Sequence, residues 1–254
     1  MQVVRYRDGD QIRVGVLEGE AVRETRGEMF GNLAVGPEIG PVDNVELVAP
    51  VAPGKLIAVG LNYRDHIEQD TNLPIPEEPV IFLKPISAII GPNAPIILPP
   101  GPEKVDAEAE LSIVIGRKCR HVKAEDYASV VFGYTCGNDV SARDYQFKDG
   151  QWVRAKGFDT FAPLGPSIVT DIDPSNLAIR SVVNGEVYQN SSTSYLIFDV
   201  PYLIEFISNV MTLEPGDVIM TGTPGGPPRL KDGDICEVQI DGIGVLRNPV
   251  KAAS

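Results

Sequence analysis

The segment from Val105 to Ile115 constrains the fold most, because it reads as a strand with apolar flanks that nevertheless carries carboxylates. Apolar and acidic residues alternate through Val105-Asp106-Ala107-Glu108-Ala109-Glu110-Leu111, and Ser112-Ile113-Val114-Ile115 continues the run. In a strand, residues two apart share a face, so Glu108 and Glu110 point the same way with Cβ atoms roughly 7 Å apart. Two carboxylates aimed at one spot repel unless something offsets them, and hard divalent ions take oxygen ligands. A solvated sheet edge satisfies the same pattern. The apolar flanks argue against full exposure, and a buried unpaired carboxylate is costly. Gly137-Asn138-Asp139 supplies a third carboxylate in another apolar segment. Glu108, Glu110 and Asp139 are therefore the candidate ligands of a magnesium-type ion.

The rest of the chain is written in short apolar runs punctuated by turns. In the first fifty residues, Asp8-Gly9 and Glu18-Gly19 separate runs at Val3 to Arg7, Ile12 to Leu17 and Ala21 to Glu24, as in a small β-unit. Val42 to Val51 reads as a strand or a linker. Leu56 to Val59 is a buried-type strand, and Asn62 is placed to cap a short helix reaching about Asp70. Thr71 to Pro79 holds prolines at 74, 76 and 79, so it reads as a loop or lid. Short strands follow at Val80 to Leu83, Ala88 to Ile90 and Pro95 to Pro99, with a short helix expected from Ala124 to Val131. Asn184-Gly185 predicts a type I′ hairpin between Val182 and Val187. Asp199 to Met211 predicts a helix, capped by Asp199, with Pro201 in its first turn and apolar residues at helical spacing. Val218 to Met220 and Ile235 to Ile240 read as late strands. The fold class is mostly β with some α (α+β). The expected domains are a small N-terminal β-domain over 1–50 and a main domain over 51–254.

A chain of 254 residues builds a core without disulfides. The formal net charge of −13 argues against nucleic-acid partners and anionic membrane surfaces, since no Lys/Arg cluster offsets it locally. The start, Met1-Gln2-Val3-Val4-Arg5, lacks a signal-peptide pattern, and no apolar run approaches spanning length. Cys119, Cys136 and Cys236 are not closely paired, which fits reduced thiols. The expected location is cytoplasmic.

Among groups that move protons, His121 follows Arg120 at a strand end and reads as a surface residue. His66 sits just beyond a buried strand, where functional groups collect, and histidine suits proton transfer near neutral pH. Lys156, in isolation, reads as a surface lysine. Thr221-Gly222-Thr223-Pro224-Gly225-Gly226 fits either an anion-holding loop or a plain turn, and no Gly-Lys-Ser/Thr follows it. The chain contains no Gly-x-Ser-x-Gly elbow and no dinucleotide fingerprint.

Six segments, in order, resemble the fumarylacetoacetate hydrolase family from about Leu56 onward. They are Asn62-Tyr63-Arg64-Asp65-His66, Phe82-Leu83-Lys84-Pro85, Glu108-Ala109-Glu110-Leu111, Gly137 to Asp144, Ala155 to Thr160, and Thr221-Gly222-Thr223-Pro224. The small N-terminal unit is similar to that of short bacterial members. The resemblance implies a mixed β-roll or barrel-like catalytic domain, a homodimer, and Mg²⁺ at Glu108, Glu110 and Asp139, with Mn²⁺ or Ca²⁺ as alternatives. It implies a small 2-oxo or 1,3-diketo acid as substrate, of the acylpyruvate, fumarylpyruvate or oxaloacetate type. The leading activity is hydrolytic or lyase cleavage of a C–C bond through a metal-stabilised enolate. The alternatives are a 2-hydroxyhepta-2,4-diene-1,7-dioate isomerase or decarboxylase of aromatic catabolism, and a non-catalytic metal-dependent oxo-acid binding protein.

By the same resemblance His66 activates water, Lys156 stabilises developing negative charge, and Thr223 binds a substrate carboxylate. Arg143 and Gln146 match substrate contacts, with Thr160 and Thr193 as weaker pocket candidates. Gln69 stands where many members carry a lid Glu three residues after the histidine. Glu68 and Asp70 are expected to project away from that position, and Glu237 is expected to orient His66.

Overall fold

A computed structural model of the chain describes residues 1–70 and 73–253, so Thr71 and Asn72 of the expected lid lie outside the described residues. The N-terminal unit consists of β1 (Gln2–Asp8), β2 (Gln11–Glu18), β3 (Ala21–Arg26), β4 (Ala34–Pro41) and the short β5 (Leu47–Val48). Then come β6 (Leu56–Gly60), α1 (Arg64–Asp70), β7 (Val80–Lys84), β8 (Ile89–Ile90), β9 (Ile96–Leu98), β10 (Val105–Asp106) and β11 (Ala109–Ile115). The middle of the chain holds β12 (Val131–Asn138), β13 (Ser141–Ala142), α2 (Arg143–Asp149), α3 (Val153–Lys156) and β14 (Ala162–Val169). It closes with β15 (Ala178–Val183), β16 (Glu186–Ser192), α4 (Val200–Val210), β17 (Val218–Met220), β18 (Ile235–Ile240) and β19 (Gly244–Ala252).

One large sheet runs β4-β3-β2-β1-β14-β12-β11-β17-β6-β7, so the N-terminal unit joins the main sheet where β1 pairs with β14. A second sheet, β16-β15-β18-β19-β9, packs behind it. Ile113, Ile115, Ile179, Val238 and Leu246 fill the space between the sheets, with Leu203 and Ile207 of α4 over one end. All of β11 is buried, which is why its sequence is apolar at both parities from Ile113 to Ile115.

Several expectations hold and several change. Asn184 and Gly185 have φ of 53° and 83°, as a type I′ turn requires. The α4 helix is capped by Asp199, which accepts from Tyr202 N at 3.0 Å. Ala124–Ser129 forms a 3₁₀ helix and not an α-helix, because the chain must re-enter the sheet as β12 from Val131. Asn62 does not cap α1. Its side chain donates to Phe198 O (3.0 Å) and Thr221 O (2.8 Å) and accepts from Phe198 N (2.8 Å), tying two loops together.

Candidate active site

The acidic strand is broken where it matters. The continuous strand expected from Val105 to Ile115 is two strands separated by Ala107 and Glu108. Its neighbour breaks in the same place: β12 ends at Asn138 and β13 begins at Ser141, leaving Asp139 and Val140 between them. The two interruptions face each other. Asp139 N donates to Glu108 O at 3.0 Å, and Glu108 N donates to the Asn138 side chain at 2.9 Å. This double break turns Glu108 and Asp139 toward one point, where Glu110 joins them from the start of β11. One ligand atom from each of the three lies within 4.8 Å of the others, and all three residues are buried.

Cations surround this triad. The Lys156 ammonium, at the end of α3, bridges Glu108 Oε2 and Asp139 Oδ2, the latter at 2.6 Å. Lys84, at the end of β7, is also buried and bonds Asp139 Oδ1. Arg143, opening α2, bonds Glu108 Oε1, reaches Asp106 at 2.8 Å and holds the Gln146 carbonyl at 2.8 Å. Burial works against the Glu108 charge, but Arg143 and Lys156 outweigh it and hold this carboxyl well below the usual range. Burial also opposes the Lys156 charge, and here Asp139 and Glu108 together keep it above the ordinary lysine value. Lys84 has a single carboxylate partner, so burial prevails and pushes it down. Glu110 is the opposite case to Glu108. Burial, then Asp139 and Glu108, push it well above the usual range, and its bond is from Gly222 N at 2.8 Å.

The donor set fits a hard divalent ion. It is all oxygen, it is buried, and among the described residues one of its carboxylates, Glu110, has no cationic hydrogen-bond partner. The Lys156 ammonium between Glu108 and Asp139 marks the same spot as cation-seeking.

Above the triad lies an inner chamber of about 30 Å³, the size of one water or ion, lined by His66, Glu108, Glu110, Asp139, Lys156 and Thr223 among others. It opens into an outer cleft of about 690 Å³ walled by Leu61, Leu73, Phe147, Trp152 and Pro227. His66, Arg143 and Gln146 line both spaces and so stand at the junction. Trp152 is seated by Gly60, where a Cβ would meet the indole at 2.4 Å. Leu61 reaches the cleft from the left-handed region, at φ 56°, a conformation that branched and bulky residues adopt only under local constraint.

Of the eleven sequence candidates for this site, the structure brings eight together: Glu108, Glu110, Asp139, His66, Lys156, Arg143, Gln146 and Thr223. Glu237 is elsewhere, and its expected contact with His66 is not made. Along β18, Cys236, Val238 and Ile240 face the core while Glu237 faces out with Gln239. It accepts from Gln239 at 2.9 Å and lies 3.6 Å from Arg247. The partner of His66 is Asp70, whose Oδ2 lies 2.8 Å from His66 Nδ1. Asp70 is four residues on along α1 and so shares the histidine's face. Projecting away from the Gln69 position, as expected, is what brings Asp70 under the histidine ring. Asp70 is held in turn by Gly226 N at 2.9 Å. Thr160 and Thr193 also lie apart, accepting from Ile97 N and Leu177 N, each at 2.8 Å. Lys84 was legible only as part of a motif. A lysine ending an otherwise apolar strand was the signal for its burial.

Among the described residues, no helix is long and apolar enough to cross a membrane. Residues 55–251 match the family described as fumarylacetoacetate (FAA) hydrolase, C-terminal, and residues 1–50 match the Rv2993c-like N-terminal family. The chain is 48% identical over 221 residues to the mitochondrial oxaloacetate tautomerase fahd2 of Xenopus laevis, covering 82% of this chain and 69% of the relative. Among solved structures, a 5-carboxymethyl-2-hydroxymuconate delta-isomerase from Mycobacterium smegmatis superposes with a TM-score of 0.93 at 50% identity, with both chains fully covered. A maleylpyruvate hydrolase from Sphingobium sp. SYK-6, in complex with manganese(II) and pyruvate, superposes with a TM-score of 0.84 at 34% identity, again over both whole chains.

Proposed function

The chain belongs to the fumarylacetoacetate hydrolase family and is an enzyme of that family, and on that premise we propose that it moves a proton on small 2-oxo acids through an enolate, with keto–enol tautomerisation of an oxaloacetate-type acid as its reaction. The observation that carries this reading is the His66–Asp70 pair standing at the mouth of a buried three-carboxylate cluster. Glu108, Glu110 and Asp139 would hold Mg²⁺ or Mn²⁺. When bound there, such an ion supplies Lewis acidity to the carbonyl and carboxylate of an oxo acid.

The chain's own residues do the rest. His66 takes the proton from the carbon beside the carbonyl and delivers it to the enolate oxygen, giving the enol, and the reverse transfers regenerate the ketone. Asp70 accepts from the Nδ1 side, which leaves Nε2 as the working nitrogen. Lys156 places a fixed positive charge beside the carboxylates, where negative charge develops on the substrate. Thr223 donates to the substrate carboxylate, and Arg143 holds Gln146 toward the junction of chamber and cleft. The apolar walls of Leu61 and Trp152 limit water.

Cleavage of a C–C bond is the second reading, and the maleylpyruvate hydrolase likeness favours it. It needs a water activated at His66, and here the neighbouring Gln69 amide packs against Gly225 and supplies no charge. A homodimer, a cytoplasmic site and a small-acid substrate are further parts of this proposal. Sedimentation analysis tests the dimer. The activity is tested by a panel of oxaloacetate, acylpyruvates and maleylpyruvate with Mg²⁺ or with EDTA. Enol–keto exchange of oxaloacetate faster than cleavage of the others supports the first reading, and faster cleavage of an acylpyruvate replaces it with the second.

A further inference from the structure

Gln189 lies outside every segment that carries the family resemblance, on β16 of the second sheet, yet its side chain ends inside the wall of the site. It is fully buried, and its amide makes three bonds. Oε1 accepts from Ala109 N at 3.0 Å, and Nε2 donates to Thr223 Oγ1 at 2.8 Å and to Pro224 O at 2.6 Å. The orientation is unambiguous, since the reversed amide would set an N–H against the Ala109 N–H and an oxygen against the Pro224 carbonyl. Thr223 Oγ1 in turn donates to Ala109 O at 3.0 Å, which closes a ring of bonds around the residue that separates Glu108 from Glu110.

This ring decides what Thr223 can offer a ligand. A hydroxyl has one proton and two lone pairs. The Gln189 N–H fills one lone pair, so the hydroxyl proton is left to point at another acceptor. Without substrate that acceptor is the Ala109 carbonyl. With a carboxylate in the chamber, rotation about the Cβ–Oγ bond hands the same proton to the substrate. We propose that Gln189 is a positioning residue that fixes Thr223 as a hydrogen-bond donor toward a substrate carboxylate and so sets affinity for the oxo acid. The inference rests on the oxo-acid reading above.

Gln189→Glu tests it. The new carboxylate still accepts from Ala109 N, but it takes the Thr223 proton and leaves a lone pair facing the substrate. Gln189→Met, which removes the donors without adding charge, is the second variant. With oxaloacetate and saturating Mg²⁺, each is expected to raise KM about tenfold, the scale of one charge-assisted hydrogen bond, while kcat and the Mg²⁺ dissociation constant stay within about twofold. In a Thr223→Val background the same substitutions are expected to add nothing further to KM, because no hydroxyl remains to orient. An unchanged KM in both variants overturns the proposal, as does a KM increase that persists in Thr223→Val, or a loss of Mg²⁺ binding that would mark Gln189 as a mere strut. If neither variant folds, Thr223→Val alone decides, since a wild-type KM there removes the role Gln189 is meant to support. Wild-type protein that turns over no oxo acid and binds no oxalate with Mg²⁺ sinks the oxo-acid reading itself, and this inference with it.

Discussion

At the scale of single residues, the site is built from charges that would be intolerable apart. In the proposed reaction His66 and Asp70, 2.8 Å apart, are the proton-handling pair. His66→Ala is expected to lower kcat by about 10² to 10⁴, the usual range for a general acid–base. Asp70→Asn keeps a hydrogen bond but removes its charge, and a loss of about tenfold to a hundredfold is expected. Glu237→Gln should leave both constants within about twofold, as for other surface substitutions. Steady-state kinetics on the three variants distinguishes Asp70 from Glu237 as the partner. Glu110 gives a pH prediction. Burial, Asp139 and Glu108 raise its carboxyl, so in ion-free protein its contribution to stability is present below the unfolded carboxylate value and is lost as pH rises through the raised folded value. A divalent ion replaces that proton. The thermal shift on adding Mg²⁺ should therefore grow between about pH 5 and pH 8, and melting curves at both pH values check it. Alternation puts Glu108 and Glu110 on one face but fits a solvated edge as well as an ion site, and neither strand's sequence shows that Asp139 meets them. The His66 partner is in the sequence too, at four-residue helical spacing, whereas the parity of β18 gives the inward face to Cys236 and Val238 and turns Glu237 outward.

At the scale of elements, local signals worked wherever no distant segment competed. The Asn184-Gly185 hairpin and the Asp199 cap formed as their sequences dictate, because both depend on neighbours in the chain. Asp199→Ala is expected to cost about 1 kcal/mol, seen as a lower denaturant midpoint with an unchanged slope. The Asn62 cap failed for the opposite reason, and the short helix from Ala124 formed but ended early. Asn62 has cap chemistry, but loops at Phe198 and Thr221 recruit its amide, and Ala124–Ser129 gives way to sheet pairing at Val131. The paired breaks at Glu108 and Asp139 could not be read from either strand by itself. They arise only when the two strands are laid side by side. Gly222 shows the same dependence: its φ of 101° and an Asn62 Cβ 2.9 Å from any added Cβ leave room for no side chain. Gly222→Ala should move the N–H that holds Glu110 and weaken Mg²⁺ binding by roughly tenfold, measurable by titration calorimetry.

At the scale of the whole molecule, two sheets meet behind a set of acidic and basic groups that neither could hold alone. The large sheet supplies Glu110, and the breaks beside it supply Glu108 and Asp139. The second sheet sends Gln189 through to the same strand. The mostly-β class and the order of the motifs were legible, since both are written in turns and short apolar runs. The sheet order was not, because β17 pairs with β6 across more than half the chain and periodicity carries no such distance. On the proposed function, Glu108, Glu110 and Asp139 hold the ion on which the oxo-acid chemistry depends. The most direct test is the enol–keto exchange rate of oxaloacetate, measured on one preparation with Mg²⁺, after EDTA, and after Mg²⁺ is restored, beside Glu110→Gln. Catalysis is expected to disappear with EDTA, to return with Mg²⁺, and to be lost in Glu110→Gln protein that still melts cooperatively. Exchange that survives EDTA, or persists in Glu110→Gln, would contradict it.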